Sequence, residues 1–169
     1  APIALRWDWT EVLRRSGDYG VADFVELGQR PLRLRELIQT GDLVLAKACL
    51  GRPVSLWGDV VAGEGRGRTL GFPTANLEAH HEVLPPDGIY ATRAFCQKRR
   101  FKSVTYLGTK PTFHPNAKKR SIEVFLLNSR AIFYGKKMEI HFMRKLRGDC
   151  EFPSPEALVS QIKLDVAVA

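Results

Sequence analysis

The sequence predicts a mainly-β fold, a closed or nearly closed antiparallel barrel with a C-terminal α-helix and a short helical N-terminal segment. Three observations carry this expectation. From Pro53 to Leu146 the chain is a series of short apolar or alternating stretches broken by turn residues at hairpin spacing. Closing such a series into a barrel removes the exposed sheet edges that an open antiparallel sheet would leave. After it, Ser154 and Pro155 introduce an apolar stripe at Leu158, Ile162 and Val166, the signature of a capped amphipathic helix.

Taken in order, residues 1–50 read as helical. Thr10 to Arg15 is a short helical start stopped by Gly17, and Leu34 to Ile38 is a second helical pattern ended by Gly41. Asp42 is placed to cap a third helix running through Leu43, Leu45, Ala46 and Ala48 to Leu50, with Gly51 closing it. Three short helices bury too little to hold a core of their own, so they are expected to pack on the strand region after Pro53.

The strand series then begins with Val54–Val61 and runs into a glycine-rich stretch. Pro85-Pro86-Asp87-Gly88 is a turn signal leading into a strand from Ile89 to Cys96. The basic turn Lys98-Arg99-Arg100 leads to a strand over Phe101–Leu107, and Gly108 to Arg120 reads as a loop. Ile122–Leu127, Ala131–Tyr134 and Lys137–Leu146 complete the expected strands.

The composition bounds the function. The chain of 169 residues, 44% hydrophobic and 26% charged, has the make-up of an ordinary globular protein with one good core. It contains no apolar run near the ~20 residues needed to span a bilayer, and no secretory leader is recognised. Cys49, Cys96 and Cys150 are odd in number and far apart, without a C-x-x-C pairing. They read as reduced thiols, and the expected location is the cytosol or an organelle matrix. The net charge of +8 is spread over separate runs with little aromatic interleaving. Nucleic acid is therefore not the expected partner, and phosphorylated small substrates account for part of the excess equally well.

The chemistry is concentrated in Gly63–Leu77, G-E-G-R-G-R-T-L-G-F-P-T-A-N-L. Glycines let backbone N–H groups approach a phosphate, arginines add charge and forked donors, and Thr74 and Asn76 offer neutral oxygens suited to phosphate-bound Mg²⁺. No lysine follows the glycines as in a Walker A loop, and the H-R-D and D-F-G motifs of protein kinases are absent. The stretch is expected to be a nucleotide phosphate site of another kind. Farther on, Ile122, Val124 and Leu126 define one strand face, so Glu123 points the other way with Ser121 and Phe125. Pattern alone makes Glu123 a solvated outward residue.

Several motifs together carry a resemblance. G-R-G-R-T-L-G-F-P-T-A-N-L at Gly65–Leu77 and P-P-D-G-I-Y-A at Pro85–Ala91 are accompanied by G-T-K-P-T-F at Gly108–Phe113 and I-E-V-F-L-L at Ile122–Leu127. F-Y-G-K at Phe133–Lys136 and L-R-G-D-C-E-F at Leu146–Phe152 complete the set. From about Leu50 to Ala169 the chain resembles riboflavin kinase, and more narrowly the kinase module of bacterial-type bifunctional FAD synthetases. The resemblance implies a six-stranded antiparallel Greek-key barrel. It implies transfer of the ATP γ-phosphoryl group to the ribityl 5′-hydroxyl of riboflavin, with Mg²⁺ or another divalent cation, giving FMN and ADP.

Carried over by motif, Glu123 is the catalytic base, and Thr74 and Asn76 bind the metal. Gly63, Gly65, Arg66, Gly67, Arg68, Gly71, Pro73 and Thr74 form the nucleotide side, while Arg147, Asp149 and Phe152 lie by the flavin. The resemblance divides the chain into a kinase domain at 51–169 and a segment at 1–50 similar to the close of an FMN adenylyltransferase domain. The H-x-G-H signature of nucleotide activation is missing, so adenylylation of FMN is not expected from this chain. Tyr106 stands where the family commonly has Asn, and Asp149 where it often has Glu. These departures keep a second reading open, a barrel that holds flavin or nucleotide without turnover. A third, a basic barrel for nucleic acid, rests on the charge and predicts steeply salt-dependent binding.

Overall fold

The structure, a computed structural model, describes residues 31–63, 65–79, 83–109, 120–129, 131 and 133–169. The helical start expected at Thr10–Arg15 lies outside them, as do His80, His81 and most of the loop expected before Arg120.

Helix α1 spans Pro31–Thr40 and α2 spans Leu43–Leu50. As the sequence predicts, the Asp42 side chain caps α2 by accepting from the Leu45 N–H at 3.0 Å, and Gly51 closes it in the left-handed region at φ 65°. The pair does pack on the strand region: Leu43 and Ala46 are buried in the main core, with Leu34, Leu37, Ile38 and Leu50 half-buried against it.

The strands are β1 (Ser55–Val61), β2 (Thr74–Ala79), β3 (Gly88–Cys96), β4 (Arg99–Thr109), β5 (Arg120–Leu126) and β6 (Lys137–Arg147). A single-turn helix α3 (Arg66–Thr69) lies between β1 and β2, and α4 (Pro155–Val168) comes after β6. The strands close in the order β1-β2-β5-β4-β3-β6, every neighbouring pair antiparallel. β3, β4 and β5 form a meander and β2 lies beside β5, which is a Greek key.

Alternation fills the barrel. Leu56 and Val60 of β1, Ile122, Val124 and Leu126 of β5, and Met138, Ile140 and Phe142 of β6 are all buried. Tyr90 of β3 and Leu107 of β4 complete this layer, with Phe142 packed edge-on against Tyr90 at 5.2 Å between ring centroids. The buried hydroxyls of Thr92, Ser103 and Thr105 satisfy one another, with Thr92 2.8 Å from each of the other two.

Two expectations need correction. β2 falls inside the glycine-rich stretch, where no strand is predicted; pairing with β1 on one side and β5 on the other imposes extended structure on a turn-like composition. Ala131–Tyr134, predicted as a strand, is not one: its described residues have no ladder partner. Phe133 turns into the core against Phe101, and the chain reverses through Gly135, whose N–H donates to Val60 O. β4 also continues through Gly108 to Thr109, beyond the predicted strand end.

Candidate active site

Strand register assembles the site. Across the β2–β5 ladder Asn76 stands opposite Glu123, and across β4–β5 Tyr106 stands opposite the same Glu123. β3 adds Ile89 beside Tyr106, and β6 adds Arg147 beside Ile89. Cross-strand neighbours share a face, so these residues form one transverse row on the outside of the barrel. Glu123 points outward as the alternation predicts, because Ile122 and Val124 on either side face the core.

The Glu123 carboxylate is held by both oxygens. Thr74 Oγ1 donates to Oε2 at 3.2 Å, and Ser121 Oγ donates to Oε1 at 3.3 Å. Thr74 is positioned by its pairing with Phe125, whose ring meets Phe72 edge-on at 5.4 Å and pins the chain as it enters β2.

The glycine-rich loop folds over the other side of Asn76. It leaves β1 at Val61, turns at Gly65 (φ 74°), forms α3, turns again at Gly71 (φ 86°) and returns through Phe72, whose N–H donates to Gly67 O at 2.8 Å. Gly63 lies so close to Asn76 that a Cβ there would fall 1.9 Å from Nδ2, so only glycine fits. Gly63, Gly65, Arg68, Pro73, Thr74 and Asn76 line a cleft of about 490 Å³ at the mouth of the barrel. Ser129, Phe133 and Tyr134 supply more of its lining. Of the predicted nucleotide residues, Arg66 opens α3 and Gly71 sits on an exposed turn.

Arg147, Asp149 and Phe152 are brought together at the far end of the row. Arg147 donates to the carboxylate of Asp165 on α4 through Nε (3.2 and 3.1 Å) and Nη2 (2.9 Å). Its guanidinium lies 5.4 Å from the centroid of the Phe152 ring, and Nη1 donates to Gly148 O and lies 3.1 Å from Cys150 Sγ. Asp165 is only 5% exposed and also accepts from Gln161. Asp149 Oδ2 accepts from the Tyr106 hydroxyl at 2.9 Å, so the two positions at which the sequence departs from the family pattern touch each other. Burial pushes the Tyr106 phenol up to about 12, helped by the hydrogen bond to Asp149 and by the negative charges of Asp149, Asp87 and Glu123.

Sequence reasoning marks Tyr106 only as a departure from the family pattern, and gives Asp165, Ser129 and Tyr134 no place in the site. Asp165 carries no pattern signal, since an Asp late in an amphipathic helix reads as solvated. Ser121 is visible, because alternation alone puts it on the face of Glu123.

Thr74 Oγ1 and Asn76 Oδ1 are hard neutral oxygens beside a carboxylate, a donor set that fits Mg²⁺. Among the described residues no group of three or more His, Cys, Asp and Glu side chains could hold a metal. The oxygens therefore suit an ion that arrives on phosphates and keeps waters, rather than one caged by protein. No helix of the described residues is long and apolar enough to cross a membrane.

The riboflavin kinase family model matches residues 50–169. The chain is 37% identical over 137 residues to the bifunctional riboflavin kinase/FMN adenylyltransferase of Haemophilus influenzae, covering 80% of this chain and 44% of that protein. To the bifunctional enzyme of the same description from Bacillus subtilis it is 36% identical over 134 residues, covering 78% and 42%. Among solved structures, one described as a macrolide-efflux protein from Streptococcus pneumoniae superposes with a TM-score of 0.76 at 31% identity, covering 82% of this chain and 45% of that one. The chain spans less than half the length of these relatives.

Proposed function

The chain belongs to the riboflavin kinase family, and on that premise we propose that its barrel transfers the γ-phosphoryl group of ATP to the ribityl 5′-hydroxyl of riboflavin, giving FMN and ADP. The observation that carries this reading is the placement of Glu123 on the outer face between Asn76 and Tyr106, with Thr74 on its carboxylate. A carboxylate fixed by both oxygens stands between a phosphate-type cleft and an aromatic-cationic segment, the division a kinase with two substrates needs.

In this reading the Gly63–Arg68 loop presents backbone N–H groups and the Arg68 guanidinium to the nucleotide phosphates. Thr74 and Asn76 supply oxygens to the divalent cation. Mg²⁺, when bound with ATP, neutralises charge on the phosphates. Riboflavin lies toward Arg147, Asp149 and Phe152. Glu123 accepts a hydrogen bond from the 5′-hydroxyl and orients it. It takes the proton as the new P–O bond forms and the bond from the γ-phosphorus to the β–γ bridging oxygen breaks, the electron pair leaving on ADP. Thr74 and Ser121 hold the carboxylate in place through this step.

Helices α1 and α2 are the close of an adenylyltransferase-type segment at residues 1–50, and the kinase domain is 51–169. FMN formation from riboflavin, ATP and Mg²⁺ is the test. Glu123→Gln, which keeps shape and removes the base, is expected to lower kcat by about 10²-fold or more while flavin binding is retained. Turnover within a fewfold of the parent would show that the base is assigned wrongly.

A further inference from the structure

Residues 147–152 leave the end of β6 and are tied down on both sides of Gly148. On one side Arg147 is fixed to the buried Asp165 of α4. On the other, Asp149 is fixed to Tyr106, 43 residues earlier in the chain, at 2.9 Å. Tyr106 is itself constrained. It is half-buried, it pairs with Glu123 in the β4–β5 register, and its ring lies over Gly108 so closely that a Cβ there would meet the hydroxyl oxygen at 1.9 Å. The second Asp149 oxygen accepts from the Cys150 N–H at 3.0 Å, so the same carboxylate also shapes the turn that carries Phe152. The Tyr106 side chain therefore links the strand position beside Glu123 to the backbone of the 148–152 segment.

We propose that Tyr106 and Asp149 form a positioning pair: their hydrogen bond fixes the 148–152 segment beside Glu123 and sets the affinity for the flavin, leaving the nucleotide side unaffected. This rests on the kinase reading of the site. The selectivity comes from the register, since Tyr106 stands on the β4 side of Glu123 whereas Asn76 and the glycine loop stand on the β2 side. An aromatic ring under a guanidinium, held at a fixed height over the sheet, is a surface for a planar ring system. Neither member of the pair transfers a proton in the reaction.

The experiment measures flavin binding by fluorescence without ATP, and steady-state KM for riboflavin and for ATP, on the full chain. Tyr106→Phe and Asp149→Ala each remove one hydrogen bond, and each is expected to raise the flavin Kd and the riboflavin KM about fivefold to tenfold, with kcat and the ATP KM within about twofold. Asp149→Asn keeps an acceptor oxygen and stays close to the parent. The double variant Tyr106→Phe/Asp149→Ala is no worse than either single one, because both delete the same bond. Parental flavin affinity in Tyr106→Phe, additive effects in the double variant, or an equal rise in the ATP KM would each overturn the proposal. If Tyr106→Phe does not fold, Asp149→Ala against Asp149→Asn on the exposed segment decides the question alone. A parent that binds flavin but forms no FMN refutes the kinase reading while the binding series still judges the pair; a parent that binds no flavin overturns the pair as well.

Discussion

Thr74 and Glu123 are joined across the β2–β5 ladder, Thr74 Oγ1 donating to Glu123 Oε2 at 3.2 Å, with Asn76 directly opposite Glu123 in register. One hydroxyl thus borders both the carboxylate and the cleft lined by the glycine loop. Thr74→Val keeps the shape and removes the oxygen. It is expected to raise the Mg²⁺ concentration for half-maximal FMN formation about 10–100-fold, the size of effect seen when a group supporting a metal site is lost. A magnesium titration with the parent's midpoint would detach Thr74 from the ion.

How far this site is legible in the sequence depends on range. Glu123 can be placed because alternation within one strand fixes its face, and α2 and α4 can be placed because their caps are local: Asp42, Gly51 and Ser154 act within four residues. β2 is not legible. Gly-Phe-Pro-Thr-Ala-Asn has the composition of a turn, and only ladders to β1 and β5 make it extended. The reverse error at Ala131–Tyr134 has the same origin, since the apolar side chains that suggest a strand serve to bury Phe133 at a turn. The Tyr106–Asp149 contact spans 43 residues and Arg147–Asp165 spans 18, and neither has a periodic signature.

The Arg147–Asp165 pair makes a stability prediction. The Asp165 side chain is 7% exposed and that of Arg147 20%, so removing the cation strands a carboxylate away from water. Arg147→Met, which retains the length of the side chain, is expected to destabilise the fold by about 3 kcal/mol, read as a lower urea midpoint at unchanged slope. Arg147→Met/Asp165→Leu is expected to recover most of that loss, because the burial cost of the lone charge disappears with it. A single variant within error of the parent would mean that the pair is solvated in solution.

Alkaline pH probes two phenols. Tyr90, whose hydroxyl donates to Pro86 O at 2.6 Å, is pushed up to about 12, chiefly by burial, and Tyr106 is also pushed up to about 12 by burial and Asp149. An unfolded Tyr ionises near pH 10, so between about pH 10 and 12 the unfolded chain holds fewer protons than the native one. Stability contributed by these groups is complete below about pH 10 and falls as pH rises through the folded values. Urea midpoints should decline over that window, and less steeply in Tyr90→Phe. A phenolate absorbance titration that places every tyrosine near pH 10 in the native protein would remove the basis for this.

Gly108 tests the same ring from the opposite side. An added Cβ would meet the Tyr106 hydroxyl oxygen at 1.9 Å and its Cζ at 2.1 Å, with the nearest atoms all belonging to that side chain. The backbone at Gly108 is not in the left-handed region, so the cost of Gly108→Ala is steric and is relieved only by swinging Tyr106 off the sheet. Overpacking of this kind costs about 1–3 kcal/mol, and here it also breaks the bond to Asp149. Gly108→Ala is therefore expected to lower the urea midpoint and to raise the riboflavin KM as Tyr106→Phe does. In a Tyr106→Asn background the shorter side chain leaves room, and adding Gly108→Ala should then cost little more stability. Additive losses in the double variant would show that the Gly108 site is closed by something other than the Tyr106 ring.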